Sequence, residues 1–185
     1  MSDRKREILR EAIEIIEDEG YASLTMRALA RASGMKLGAL QYHFRTSDEM
    51  LRALVAYIAD ELKGAFEERM AKTGSTTVGD IAAFMLDETG EGSIFTDRLW
   101  PQLWAMEQVE PLVSDLLEDV YAEYLRNLET ALVERGVAEP RAEALCLMSL
   151  MEGESLFTGS GRRWESDQRA VRDTILAFIK ERYGD

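Results

Sequence analysis

The chain has 185 residues, 46% of them hydrophobic and 31% charged, with a formal net charge of −13. This composition is typical of a folded globular protein and excludes a disordered chain, and no apolar run approaches the ~20 residues that cross a bilayer. The single cysteine excludes an internal disulfide framework and fits a reducing compartment, so we expect a cytoplasmic protein with no membrane partner.

The N-terminal residues predict three short helices, since apolar residues recur at helical spacing between clear capping and stop signals. In the third helix Leu40 and Phe44 are four residues apart and should turn inward together. The three elements are a helix from about 4 to 18, a second capped by Thr25 and ended at Ser33-Gly34, and a third from about 36 to 44.

The rest of the chain also reads as helical, because no stretch alternates apolar and polar residues long enough to make a strand. Thr46-Ser47-Asp48-Glu49 is a capping box for the fourth helix, and Pro101 lies within the sixth as its start or a kink. The remaining predicted helices are about 46–71, 80–88, 95–108, 111–135, 140–158 and 166–183, with breaks at 72–77 and 89–93. The predicted fold class is all-α, with about nine helices.

The distribution of charge is more informative than the total. Residues 1–52 carry nine basic and nine acidic side chains, so the excess of acid lies entirely in the remainder. Residues 21–47 contain four basic side chains and no acid. Because contacts with phosphates supply most non-specific DNA affinity, such a segment can bind DNA although the whole chain is acidic.

The second and third predicted helices have the layout of a helix-turn-helix, in which the second helix of the pair enters the major groove. The turn contains Ser33-Gly34. Burial of Leu40 and Phe44 leaves the opposite face of the third helix outward. Gly38 on that face costs about 1 kcal/mol of helix stability against alanine, which favours a site where the backbone closely approaches something else.

Residues 24–44, LTMRALARASGMKLGALQYHF, resemble the signature of the tetracycline-repressor-like (TetR) family of bacterial regulators, and the likeness continues into Asp48-Glu49-Met50-Leu51. The ordered motif with its Gly-x-x-x-Tyr-His-Phe ending is highly specific, although it covers about a quarter of the chain. The resemblance implies a homodimer that binds palindromic double-stranded DNA and responds to a small molecule, most commonly as a repressor.

The resemblance also implies roles for individual positions. Residues that face base edges in the family correspond to Arg27, Lys36, Leu37, Gly38 and Gln41. Residues that face phosphates or sugars correspond to Thr25, Tyr42, His43 and Arg45. Side-chain chemistry agrees, since arginine pairs with guanine and a glutamine amide can pair with adenine.

Two residues depart from the family pattern. Lys36 stands where a serine or threonine N-cap is common, which weakens the start of the third helix. Ser47 stands where the family often has a lysine near the phosphates, so one charge contact is expected to be missing.

Aromatic and methionine side chains on the predicted helices five to eight are candidates for lining a ligand cavity, which the resemblance places in this region. Ordinary core packing is the alternative for each of them. The candidates are Phe84, Phe95, Trp100, Trp104, Tyr121, Tyr124, Met148 and Met151. Acids on helix seven, Glu118, Asp119 and Glu123, could select a cationic ligand, but a solvated face is the simpler interpretation.

The apolar stripes on the last two helices need more burial than one small domain offers. The resemblance implies that these helices pair with their symmetry mates in a dimer, whereas packing within one chain is the alternative. The candidate dimer residues are Leu145, Met148, Glu152, Val171, Ile175 and Phe178.

Other chemistry has little support in the sequence. His43 has no nucleophile and acid beside it in sequence, Cys146 lies in an apolar stretch where it should pack as a small hydrophobe, and the acids are too scattered for a metal site. We expect no enzyme activity, no metal and no cofactor.

We therefore predict a DNA-binding domain over residues 1–47 and a ligand-binding and dimerisation domain over residues 48–185. A helical enzyme would need a convergent catalytic set, and we find none in the sequence. A ligand-binding or scaffold protein that has lost DNA recognition is the second alternative, which Lys36 and Ser47 keep open.

Overall fold

The computed structural model describes residues 1–73, 76–86, 96 and 98–184, and within them all regular secondary structure is helical. The α-helices are α1 (Asp3–Glu19), α2 (Met26–Ala32), α3 (Leu37–His43), α4 (Ser47–Thr73), α5 (Val78–Leu86), α6 (Leu99–Glu107), α7 (Pro111–Glu134), α8 (Pro140–Thr158) and α9 (Gln168–Tyr183). Two three-residue 3-10 helices, Tyr21–Ser23 and Glu165–Asp167, were not predicted. The all-α prediction is confirmed.

Most helix limits agree with the sequence pattern to within two residues. Helix α5 starts two residues before the predicted Asp80, because Thr77 caps it. The Thr77 hydroxyl accepts a hydrogen bond from the Asp80 amide at 3.1 Å, and the Asp80 carboxylate accepts one from the Thr77 amide at 3.1 Å. This reciprocal pair is a capping box. The predicted end of this helix near residue 88, the loop at 89–93 and the predicted helix start at Phe95 lie outside the described residues.

Packing divides the chain into two compact units. The first unit comprises residues 1–63 and 94–117, and the second comprises residues 64–93 and 118–185. The predicted domain boundary after residue 47 stays a prediction.

In the first unit, α1 packs against both α2 and α6. Its apolar face is fully buried, as are the facing side chains of the later helices. These buried residues are Ile8, Leu9, Ile16, Leu29, Leu40, Leu54, Ile58, Leu99 and Leu103. Arg10 donates a hydrogen bond from Nε to the hydroxyl of the buried Tyr57 at 3.1 Å, which ties α1 to α4 within this unit.

Polar contacts also hold the end of α1 to the segment around α6 within the first unit. The Thr96 hydroxyl donates to the Glu17 carboxylate. Arg98 pairs with Asp18 at 2.7 Å, and its guanidinium also donates to the Glu17 carbonyl at 3.1 Å. Residues some 80 positions apart in sequence are therefore joined beside the N-terminal helices.

In the second unit, α5, α8 and α9 pack against one another. The core is apolar and includes the edge-to-face pair Phe66–Phe84, with ring centroids 5.2 Å apart, and Tyr124 at 5.8 Å from Phe66. Two ion pairs join α8 to α9: Glu143 with Arg182 at 2.7 Å, and the buried Glu154 with Arg172 at 3.4 Å.

The predicted packing of Cys146 is wrong, because the structure exposes this side chain. Ala144, Leu147 and Met148 take the buried side of α8. At 3.6 residues per turn, Leu145 and Cys146 must then lie on the other side.

None of the helices in the described part of the chain combines the length and the apolar character that crossing a bilayer requires.

Candidate DNA-binding surface

The turn between α2 and α3 is closed by local backbone bonds. Thr25 caps α2, since its hydroxyl accepts from the Ala28 amide at 3.1 Å. At the other end, Gly34 adopts φ +64°, a left-handed conformation that favours glycine, and the next amide, of Met35, donates to the Ala30 carbonyl at 2.9 Å. These bonds end α2 sharply and redirect the chain into α3, so the predicted helix-turn-helix is present.

The inward face of this pair is apolar. Leu29, Leu40 and Phe44 are all completely buried. The ammonium of Lys5 lies 5.1 Å from the centre of the Phe44 ring, which is within cation–π range. Leu40 and Phe44 therefore anchor α3 and fix which of its side chains point outward, as the sequence predicts.

The outward face carries the residues predicted to contact DNA. Tyr42 is 88% exposed, and its ring meets His43 edge to face with the centroids 5.6 Å apart. Leu37 and His43 are partly buried. The remaining predicted contact residues are exposed, namely Thr25, Arg27, Lys36, Gly38, Gln41 and Arg45. We call all nine the recognition surface.

Gly38 has no packing role that would require glycine. A Cβ added at this position would meet nothing within 4 Å. The residue is exposed in the second position of α3, where alanine would stabilise the helix. The space above Gly38 is thus open to an approaching molecule rather than to the protein itself.

Lys36 occupies the N-cap position of α3 and makes no side-chain capping bond. The exposed amides at the start of α3 therefore lack the acceptor that serine or threonine would supply. The structure agrees with the weak helix start that the sequence predicts. The Lys36 ammonium is instead part of the recognition surface.

Acids near this surface are engaged with the backbone at the start of α4. The Thr46 hydroxyl accepts from the Glu49 amide at 3.1 Å, and the Glu49 carboxylate accepts from the Arg45 amide at 3.0 Å. The capping box is therefore present, with the carboxylate shifted to the preceding residue. Asp48 pairs with Arg52 at 3.0 Å. The exposed cations Arg27, Lys36 and Arg45 give the recognition surface its positive charge, and Arg31, also on α2, is exposed as well.

The predicted ligand residues fall into both units. Five belong to or pack on the core of the second unit: Phe84, Tyr121, Tyr124, Met148 and Met151. Trp100 and Trp104 belong to the first unit, where Trp100 is buried and Trp104 partly buried. Phe95 lies outside the described residues.

The predicted dimer residues differ in how far they are buried. Leu145 and Phe178 are about half exposed, at 47% and 48%, and Val171 is partly buried. Met148 and Ile175 are buried in the core of the second unit. Glu152 is largely buried and accepts a hydrogen bond from the Tyr121 hydroxyl.

An open groove of about 800 Å³ runs between α8 and α9 in the second unit. Small residues form part of its floor, among them Ser149, Gly153 and Ala170, and the 61% exposed Phe157 stands at its side. Gly153 and Phe157 were not among the predicted site residues. Their spacing of four residues places them on one side of α8, and this signal was available in the sequence.

In the described part of the chain, no three His, Cys, Asp or Glu side chains are grouped so as to hold a metal ion. Glu118 and Asp119 are exposed and Glu123 is partly exposed. Among the described residues the buried acid is Glu154, at 5% exposure, while Glu152, a predicted dimer residue, is partly exposed. The residues around Glu152 in sequence give no signal of its distant partner, Tyr121.

Residues 8–54 match a protein-family model described as bacterial regulatory proteins, tetR family. The matched segment contains the helix-turn-helix together with most of α1 and the beginning of α4.

Curated relatives share part of the chain. An uncharacterised helix-turn-helix transcriptional regulator from the dhlA 5′ region of Xanthobacter autotrophicus is 28% identical over 131 residues, 69% of this chain and 63% of that protein. The helix-turn-helix regulator BetI of Stenotrophomonas maltophilia is 24% identical over 115 residues, 61% of this chain and 59% of that protein. The chain thus spans about three fifths of the length of these relatives.

The fold as a whole has solved counterparts. A protein of Saccharomonospora viridis, described as a transcriptional regulator and crystallised in complex with choline, superposes with a TM-score of 0.76 at 20% identity. The superposition covers 97% of both chains.

Proposed function

We propose that this chain, which belongs to the tetR family of bacterial regulatory proteins, is a dimeric repressor released from a palindromic operator by a small-molecule effector. The observation that carries the DNA-binding part is the recognition surface. It presents cations, a glutamine amide and a tyrosine hydroxyl outward from a helix whose other face is completely buried.

Each part of this surface has a chemical use on DNA. Arg27 and Gln41 can read base edges in the major groove, while Tyr42 and Arg45 can hold the phosphates. The open backbone at Gly38 lets the helix approach the groove closely. A regulator that acts on chromosomal DNA in this way works in the cytoplasm.

The dimer brings two recognition helices to successive major grooves, about 34–36 Å apart. We assign the interface to the open α8–α9 groove with Leu145, Val171 and Phe178 beside it, because this apolar surface is exposed in the single chain. Pairing two half-sites multiplies both affinity and specificity.

The effector acts by shifting the populations of two conformational states of the protein. Binding in the second unit favours a state in which the two recognition helices no longer match the groove spacing, so the operator is released. The choline bound by the Saccharomonospora viridis protein is a precedent for a small ligand on this fold.

The test is a gel shift with the DNA upstream of the protein's own gene, at several salt concentrations. The wild type is expected to bind with strong salt dependence, and the double variant Gln41→Ala/Tyr42→Ala should bind at least a hundredfold more weakly. The matched control Gln108→Ala/Val109→Ala changes two exposed residues elsewhere and should bind within threefold of wild type. Absence of salt-sensitive binding to any duplex would refute the assignment.

A further inference from the structure

The first turn of α1 contacts the helix-turn-helix at two points. The guanidinium of Arg4 donates a hydrogen bond from Nη2 to the Ser33 carbonyl at 2.8 Å. The ammonium of Lys5, the next residue, lies 5.1 Å from the centre of the Phe44 ring. Ser33 comes before α3 in the chain and Phe44 directly follows it, so α1 contacts the chain on both sides of this helix.

The Ser33 carbonyl lies at the end of α2, where a helix leaves its last carbonyls without partners inside the helix. Amides of the turn donate to the carbonyls of Ala30 and Arg31. The Ser33 carbonyl instead accepts its bond from Arg4, which is 29 positions away in sequence. A cation at the C-terminal end of a helix is also favoured by the helix dipole. Arg4 therefore completes the bonding of this turn from a different helix.

The chemistry of arginine suits this contact. While Nη2 of Arg4 donates to Ser33, Nη1 pairs with the Glu7 carboxylate at 2.7 Å, one turn further along α1. The planar guanidinium thus makes two bonds in fixed directions, which a lysine ammonium does not reproduce. The start of α1 is itself held by Ser2, whose hydroxyl accepts from the Lys5 amide at 3.4 Å. The direction of the bond to the turn is therefore set by α1.

The position of this contact favours a role in DNA recognition over a role in folding. The side chains of Arg4 and Glu7 are both exposed, and exposed ion pairs add little to the stability of a fold. The turn, however, determines the direction in which α3 leaves α2. Reading of base edges depends on hydrogen bonds of defined length and angle, so the direction of α3 affects how accurately the recognition surface meets DNA.

We propose that Arg4 is a positioning residue for operator recognition, which fixes the turn between α2 and α3 through the Ser33 carbonyl. In this role Arg4 contacts no base, and it sets the angle at which the recognition surface meets the groove. The inference rests on the DNA-binding part of the proposed function, to which it adds a residue outside the recognition surface.

The first test needs no DNA. Hydrogen–deuterium exchange of the Gly34 and Met35 amides in the full-length protein, followed by NMR, measures how often the turn opens. Arg4→Ala should speed this exchange at least fivefold, because the turn loses its bond to α1. Arg6→Ala is the matched control, since it removes the same charge from the same end of α1. The exposed Arg6 side chain makes no hydrogen bond or ion pair within the described residues, so exchange should change less than twofold.

The second test compares two duplexes by fluorescence anisotropy at several salt concentrations: the upstream DNA that the wild type binds and a random duplex of equal length. Arg4→Ala should lower the ratio of the two affinities at least tenfold, with the affinity for random duplex within threefold of wild type. Arg6→Ala should leave the ratio within twofold. A direct phosphate contact by Arg4 would instead weaken both duplexes equally and make the salt slope shallower by about 0.9, which overturns the inference.

Stability and the proposed function are checked separately. The Arg4→Ala protein should melt within about 4 °C of wild type in circular dichroism. A larger fall, together with equal losses on both duplexes, would show a purely structural role and also overturn the inference. A wild type that binds no duplex refutes the proposed function. Unchanged exchange at Gly34 and Met35 in the Arg4→Ala protein overturns this inference whether or not the chain binds DNA.

Discussion

The hydroxyl of Tyr21 donates a hydrogen bond to the carboxylate of Glu110, with the two oxygens 2.5 Å apart. Tyr21 begins the 3-10 helix after α1, and Glu110 directly precedes α7, so the bond joins residues 89 positions apart within the first unit. Burial and this hydrogen bond raise the pKa of Tyr21 well above the ordinary tyrosine range, which keeps the phenol protonated as the donor.

Tyr21→Phe should therefore lower the free energy of unfolding by about 1–2 kcal/mol, because it removes a partly buried bond to a charged acceptor. Urea denaturation followed by circular dichroism measures the change. Tyr42→Phe is the matched control, since Tyr42 is 88% exposed and should change stability by less than about 0.5 kcal/mol. Equal effects of the two substitutions would show that the Tyr21–Glu110 bond contributes little.

Gly38→Ala should stabilise the fold and impair DNA binding at once. The added methyl meets nothing in the protein, so the helix should gain about 0.5–1 kcal/mol of stability. If α3 enters the groove as proposed, the same methyl would stand between them, and we expect at least a tenfold loss of operator affinity in fluorescence anisotropy.

Gly64→Ala is the control for Gly38→Ala. Gly64 is an exposed glycine within α4, and a Cβ there also has open space around it. It should give a similar gain in stability with no change in operator affinity. If Gly38→Ala left affinity unchanged as well, α3 would not approach the groove at this position.

The sequence predicted the features that depend on local spacing. Leu40 and Phe44 are buried and Gly38 is exposed because all three follow the 3.6-residue period of one short helix. Thr25 caps α2 because its hydroxyl needs only an amide three residues away. Local rules were sufficient for the recognition surface.

Features that depend on distant packing were not predictable in this way. Glu152 and Gly153 are adjacent in sequence, yet one reaches Tyr121 and the other lines the open groove, because one residue turns a helix by about 100°. Which direction is inside depends on where α7 and α9 pack. The assignment of Trp100 to the first unit likewise follows from the packing of α6 against α1, which periodicity does not reveal.

Lys36→Ser should stabilise helix α3 and weaken DNA binding. A serine at this N-cap position can accept a bond from an amide of α3, which stabilises the protein by about 1 kcal/mol. The loss of the cation should weaken operator binding. If Lys36 contacts a phosphate, the slope of log K against log salt should become shallower by about 0.9.

The salt dependence distinguishes the two roles that Lys36 can have. If Lys36 reads guanine, its loss should lower affinity for the operator more than for random duplex, whereas loss of a phosphate contact should weaken both equally. Unchanged affinity and slope on both duplexes would remove Lys36 from the recognition surface.

Glu152 should make the stability of the free protein depend on pH. Burial raises its pKa in the folded state to about 7, above the ordinary value of 4.5, so the folded state binds the proton more tightly than the unfolded chain. The stabilising effect of protonation is complete below about pH 4.5 and is lost as the pH rises to about 7. At pH 8 the penalty reaches about 3 kcal/mol at most.

The measurement is the difference in unfolding free energy between wild type and Glu152→Gln, taken at pH 5 and at pH 8. The variant should gain stability relative to wild type as the pH rises, since its amide cannot ionise. Other groups titrate equally in both proteins and cancel in this comparison. A difference that is the same at pH 5 and pH 8 would mean that folding does not raise the pKa of Glu152.

Gly153→Leu should dissociate the dimer without disturbing the single chain. Gly153 lies on the floor of the α8–α9 groove, and a Cβ added there meets nothing within 4 Å of its own protomer. Leucine is also the better helix former, by nearly 1 kcal/mol. A second subunit seated in the groove would meet the new side chain directly, because small residues at this position permit close approach.

Sedimentation equilibrium is expected to show at least a hundredfold rise in the dimer dissociation constant, with the circular dichroism spectrum unchanged. Val133→Leu, which enlarges a 61% exposed side chain on α7 outside the groove, should leave the constant within threefold of wild type. In the proposed dimer each protomer supplies one half-site contact, so loss of the dimer should also lower operator affinity. A Gly153→Leu protein that remains fully dimeric would move the interface away from this groove.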